Sequence, residues 1–277
     1  MTRSSDTPSH RFLLGIADDL ARGDVSFPTY LGAAVKIRAA LDDPHLTIDT
    51  MSRIVQSEPL VAAKVIRLAN SAALNPSGRE IADVRSAVMR VGFAAIRTLA
   101  MAVAIEQLMC EKEMSPYRER TRELWEHSLE VAALSFVIAR HVTSLNPDEA
   151  LFAGLVHDIG HFYLLSQIAR TPGIVRDKDE LQRVLEEWHV GIGHAVLVAL
   201  DTPESILLAV HLHEAPFGGD QPRTFGEVLY VANCVAGHGN PFSPASPGHP
   251  SPASDAIALI VDEHHDELAS LIAALRG

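Results

Sequence analysis

A chain of 277 residues with 47% hydrophobic and 21% charged side chains can bury a substantial core and lies outside the disordered range. Its formal charge of −12 falls entirely in the second half: residues 1–115 hold 13 basic and 13 acidic side chains, residues 116–277 hold 10 and 22. Such a surface repels phosphate backbones, which excludes a nucleic-acid groove there as the first expectation.

Apolar residues recur at three- and four-residue spacing and no alternating β-branched run occurs, so the expected class is all-α, a multi-helix bundle. Helices are predicted near 10–22, 28–41, 48–56, 59–71, 81–91 and 93–112, with breaks at Gly23, Pro44, Pro59 and the turn from Asn75 to Gly78. These form an N-terminal helical subdomain over 10–115. A second helical subdomain, 116–237, begins near Pro116. Its clearest start is Asn146-Pro147-Asp148-Glu149, with Asn146 as N-cap, and the helix that follows is predicted to end at Gly160. Thr202-Pro203 starts another helix. Residues 238–254, HGNPFSPASPGHPSPAS, are too rich in Pro, Ser and Gly for a core helix and read as a mobile loop before one closing helix over 255–277.

No apolar run looks long enough to cross a bilayer, and the first ten residues lack the apolar middle of a secretory signal. Cys110 and Cys234 make no disulfide framework. The expected setting is therefore the cytoplasm, with no membrane partner.

Chemistry concentrates in the histidines, of which the second half holds 12 of 14. The stretch GLVHDIGHFYLL puts His157 and Asp158 in an apolar run, where a carboxylate is costly to bury without compensation. His127 shares a helical face with Val131, Leu134 and Ile138, and His213 follows Ile206 and Val210 at the same spacing. Asn233 shares its face with Leu229 and Ala236. Each of these groups either finds a local hydrogen-bond partner or joins a shared site, in which a cation would neutralise Asp158 and take neutral imidazoles as ligands. His161, His189, His194 and His211 are available to extend it.

In the first half, Asn70-Ser71 reads as a helix cap. Lys64, Arg67, Arg79, Arg85, Arg90 and Arg97 make a modest positive patch, with Lys64 and Arg67 on one face. Without aromatic residues nearby for base stacking, this reads as a solvated surface.

The order His127, His157-Asp158, then a polar residue at 233 resembles the HD phosphohydrolase superfamily. SEPLVAAKVIRLANSAAL (57–74), IADVRSAVMRVGFAAIRTLAM (81–101), FPTYL (27–31), ALFAGLVHDIG and LHEAP together resemble the HDOD domain, a subgroup of HD-related proteins, over roughly residues 10–237. The resemblance implies a bacterial, all-helical protein of signalling or regulation, for which no catalytic activity is typical. It assigns metal-ligand positions to His127, His157 and Asp158, with Asn233 in the fourth place, where an HD site normally has aspartate. His194 and His213 are further candidates.

The lysine that binds substrate phosphate in HD enzymes and their HD-GYP relatives is His161 here. The paired histidines near 212–213 reduce to His213, beside Leu212, and no GYP follows. Asp158 and His161 are the candidates for a catalytic role, and each departure weakens phosphate-ester hydrolysis.

The implied function is regulation by binding a signalling protein or small ligand. The alternatives are a metal-dependent phosphohydrolase acting weakly on nucleotides or phosphodiesters, and a nucleic-acid-associated regulator. The implied cofactor is one divalent transition metal, zinc, iron or nickel. Exposed apolar helix faces also allow a homodimer.

Overall fold

The computed structural model describes residues 7–22, 32–243 and 252–276, and among them the only regular elements are α-helices and one 3-10 turn, Ser115–Tyr117. The first group comprises α1 (Pro8–Ala21), α2 (Gly32–Leu41), α3 (Ile48–Gln56), α4 (Pro59–Ala69) and α5 (Val84–Met109). Thr7, Thr47 and Asp83 cap N-termini with side-chain oxygens, and Pro8 and Pro59 occupy first turns. The helices predicted over 81–91 and 93–112 meet within α5 at Gly92. Its φ of 77° and ψ of 168° bend the run in a conformation essentially reserved for glycine. Asn70 closes α4 and ties it to the next segment, donating to the Ile66 and Ile81 carbonyls and accepting from the Ile81 amide. The motif FPTYL, 27–31, lies outside the described residues.

One expectation fails here. α5 has the length and hydropathy to cross a membrane, although no such run was expected. Its apolarity has another explanation: 67% of its most apolar window is buried, with α2, α3 and α4 packed along it and α7 crossing it.

The second group is α6 (Arg118–Val142), α7 (Pro147–Val156), α8 (Ile159–Arg170), α9 (Lys178–Ala199), α10 (Glu204–His211) and α11 (Phe225–Val235), followed by α12 (Pro252–Glu263) and α13 (His265–Arg276). α6 is the axis against which α7, α11, α12 and α13 all pack. Two boundaries differ from expectation. α7 stops at Val156, not Gly160, because the chain turns at His157-Asp158 before α8 starts. The closing helix is two helices, broken at His264, so that both can lie against α6. The expected positive patch also thins. Lys64 is buried against Glu106 and the Leu275 carbonyl, Arg97 lies over the Phe152 ring at 4.2 Å, and Arg85 pairs with Asp49 at 2.6 Å.

α1 is fastened to α9 by a buried carboxylate. Glu180 accepts from the Arg176 side chain at 2.9 Å, from the Arg176 amide at 2.7 Å and from the Ser9 hydroxyl at 2.8 Å. These donors hold its carboxyl down to about 2. A folded value below the ordinary unfolded one of about 4.3 contributes stability that is complete above that value and lost as pH falls toward 2. Urea titrations should therefore separate wild type from Glu180→Gln clearly at pH 6, less at pH 3, and hardly at all at pH 2. A gap of equal size at both would show that the carboxylate's charge contributes nothing.

Candidate metal centre

Five imidazoles from separate elements meet one carboxylate. α6 supplies His127, the corner after α7 supplies His157 and Asp158, and the first turn of α8 supplies His161. α9 supplies His189, and the turn after α10 supplies His213. Two glycines allow the helices to come this close. At Gly154 α7 lies against the backbone of Ala132 in α6, and at Gly160 α8 lies against the His189 carbonyl of α9. All six side chains belong to residues no more than 4% exposed.

On one oxygen of the carboxylate, Asp158 Oδ2 stands 3.0 Å from His157 Nε2 and 3.5 Å from His127 Nε2. Its other oxygen, Oδ1, stands 3.2 Å from His161 Nδ1 and 3.7 Å from His213 Nε2. The His161 and His189 rings stack at 4.1 Å, and His189 Nε2 approaches Glu214 Oε1 at 3.5 Å.

The outer edges of the rings explain their orientation. Nδ1 of His127 donates to the His238 carbonyl, that of His157 to Gly154, that of His189 to Leu185 and that of His213 to Val210, at 2.6–2.9 Å. With each Nδ1 proton spent on a carbonyl, four Nε2 atoms face inward, and in the neutral ring each offers a lone pair, the tautomer that metal-binding histidines adopt. His127 Nε2 and His157 Nε2 stand 3.3 Å apart, so two lone pairs oppose each other unless a proton or a cation lies between them. Asp158 Oδ1, both nitrogens of His161 and His189 Nε2 are buried without a hydrogen-bond partner.

Charge follows from this arrangement. Burial would raise the Asp158 carboxyl, but His157 and His161 outweigh it and hold it well below the usual range. Burial lowers His127 and His161, and lowers His213 to about 4. His157 and His189 go the other way: burial is overcome by Asp158 in the first case and chiefly by the nearby Glu214 carboxylate in the second. The chamber thus keeps one firmly ionised carboxylate among mostly neutral rings, a donor set that fits a divalent transition metal.

Three overlapping sets hold their ligand atoms within 4.8 Å of one another: His127–His157–Asp158, Asp158–His161–His189 and His189–His213–Glu214. A fourth set, His141–His264–Glu267, is poorly suited. Its two rings stack at 3.6 Å and 11°, so their in-plane lone pairs cannot converge on one ion.

Of the residues singled out from sequence, His127, His157, Asp158, His161 and His213 are brought together. Asn233 is half-buried and donates to the Leu229 carbonyl of its own helix. The carboxamide that reaches Asp158 is Asn240, at 2.7 Å from Oδ2. His194 is half-buried and packs edge-on to exposed His211 at 5.8 Å, while the inward position on α9 belongs to His189. A stripe of Leu181, Leu185, Ile192 and Val196 around His189 carries that signal in the sequence. Nothing periodic marks Asn240.

The whole arrangement has structural relatives. A protein of Shewanella amazonensis SB2B, provisionally described as a metal-dependent phosphohydrolase, superposes with a TM-score of 0.70 at 25% identity, over 95% of this chain and 99% of its own. An HDOD domain protein of unknown function from Geobacter sulfurreducens gives 0.60 at 21% identity, over 96% and 97%. A protein of Marinobacter aquaeolei VT8, provisionally described as a signal transduction protein, gives 0.60 at 16% identity, over 99% of this chain and 67% of its own. The last two attest the fold alone. No curated protein matches the chain in sequence. The sequence model of the HDOD domain matches residues 27–216, more than half the chain, and includes the His157-Asp158 corner; the protein belongs to the HDOD domain family.

Proposed function

We propose that this HDOD protein is regulatory, that its histidine chamber holds one divalent transition metal ion, and that it acts by binding a signalling protein or small ligand rather than by turnover. Burial carries this reading: the carboxylate and its five imidazoles are at most 4% exposed, whereas a catalytic ion needs a position open to water and substrate. Imidazole-rich surroundings favour zinc, iron or nickel over magnesium. When bound, such an ion would neutralise Asp158 and occupy the inward lone pairs. His161 supports the same reading. At the position where HD enzymes carry a phosphate-binding lysine, it is fully buried and pushed toward its neutral form. A cytoplasmic setting and the absence of a nucleic-acid partner belong to this proposal, the latter supported by Lys64 and Arg97 turning inward.

The phosphohydrolase reading has one feature in its favour. Asp158 Oδ1, His161 and His189 Nε2 are unpartnered, and they offer a second cation position of the kind two-metal hydrolases use. Elemental analysis of untagged protein, combined with assays on bis(p-nitrophenyl) phosphate, nucleotides and cyclic dinucleotides with added nickel, manganese and iron, decides between the two. The expected result is about one ion per chain, as the single buried carboxylate of the chamber implies, and no repeated turnover. Multiple turnovers that disappear in His157→Ala would replace the regulatory reading with the enzymatic one.

A further inference from the structure

The segment after α11, Gly237-His238-Gly239-Asn240-Pro241-Phe242-Ser243, has the composition of a solvated loop, yet Phe242 is 0% exposed. A proline- and glycine-rich stretch gains no order from its own backbone, so the fixed position of Phe242 must come from what it touches.

Its inner end is anchored on α6. Glu130 accepts from the Gly237 amide at 2.9 Å, the His238 amide at 2.8 Å and the His238 ring at 2.7 Å. The His238 carbonyl then takes the Nδ1 proton of His127. At the tip, the Phe242 amide donates to Asn240 Oδ1 at 2.8 Å, which fixes the carboxamide so that its NH2 faces Asp158. The Phe242 ring lies between two partners, the His161 imidazole at 5.5 Å and 21° and the Arg120 guanidinium at 4.1 Å. Arg120 also donates to the Pro241 carbonyl, and Gln182 donates to that of Phe242 at 2.6 Å. Ser243 donates to Glu214, the carboxylate beside His189.

We propose that Gly237–Ser243 is a strap that closes the histidine chamber with the chain's own side chains, Asn240 on the carboxylate and Phe242 over His161, and that it must lift to admit a ligand. Asn240 and Phe242 fill the two places a ligand of this chamber would need, the anionic oxygen and the open face of His161. Among the described residues, the strap's only backbone–backbone hydrogen bond is its internal turn from the Ser243 amide to the Asn240 carbonyl. Side chains alone hold it to the helices, so it can lift without unwinding any of them. Asn240 brings a neutral donor to an ionised oxygen, and a cation would displace it favourably. The strap explains the burial on which the regulatory reading rests, but does not require that a metal be bound.

Covalent labelling of the chelator-treated full chain with diethylpyrocarbonate, read by mass spectrometry, tests this. In wild type, His157, His161 and His189 should react at least about tenfold more slowly than exposed His211 and His265, because labelling requires a sparsely populated open state. Asn240→Asp sets a second carboxylate against Asp158 without removing any packing, and Arg120→Gln takes the guanidinium from the Phe242 ring and leaves the packing between the helices in place. Both should speed labelling of the three buried histidines by about tenfold or more, a shift of roughly 1.4 kcal/mol in opening, and leave His211 and His265 unchanged. Buried histidines that react as fast as His211 in wild type, or that respond to neither variant, would overturn the strap. Because metal is absent throughout, a protein that fails to bind metal refutes the function proposed above without affecting this result.

Discussion

Asp158→Asn should cost the chamber at least a hundredfold in metal affinity while the helices stay folded. The carboxylate is the anion on which four imidazoles converge at 3.0–3.7 Å, and replacing one oxygen by NH2 removes the charge at nearly constant volume. Loss of partners that only orient a metal ligand costs 10–100-fold, so loss of the central ligand should exceed that. Thermal unfolding reads the effect. A metal at a hundred times its wild-type dissociation constant stabilises the native state by about 2.7 kcal/mol, and little of that should remain in the variant. In chelator the variant should also be the less stable of the two near neutral pH, because a carboxyl that His157 and His161 hold below its usual range stabilises the native state there. An unchanged metal-induced shift in Asp158→Asn would remove this chamber as the metal centre.

How far the sequence announces this site depends on which side chains sit in periodic segments. His127, His213 and His189 each interrupt an apolar stripe, and a polar residue on a buried face can be read from spacing alone. Gly92 breaks α5 where the pattern changes. The failures share a cause. Apolar residues continue on both sides of the His157-Asp158 corner, and the polar run from Asp262 to Glu267 around His264 also suits the solvated face of one unbroken helix, so neither turn registers in the pattern. Lys64 reads as a surface residue beside Arg67 because nothing within its own helix reveals Glu106 or the carbonyl of Leu275, which arrive from 42 and 211 residues away. Asn240 fails most completely. Its role depends on where a non-periodic segment crosses the mouth of the chamber, and that is decided by Glu130, Arg120 and Gln182 on helices distant in sequence.

A single methyl group at position 160 should damage the protein more than most larger substitutions elsewhere. A Cβ at Gly160 would lie 1.9 Å from the His189 carbonyl oxygen and 2.8 Å from the Gly193 amide nitrogen, both backbone atoms of α9 that cannot rotate away. α8 and α9 must therefore separate, and the separation parts the stacked His161 and His189 rings. Overpacking against rigid partners costs 1–3 kcal/mol and sometimes more, and here about 3 kcal/mol or more is expected for Gly160→Ala, a fall in melting temperature of roughly 6–12 °C. Gly191→Ala is the matched control. It lies in α9, the helix that α8 meets at Gly160, has nothing within 4 Å of its Cβ position, and should gain about 0.5–1 kcal/mol from helix propensity. Opposite signs for the two substitutions would establish that α8 and α9 meet backbone to backbone. Equal and small effects would mean that the helices stand further apart, and that the histidines of the chamber do not converge.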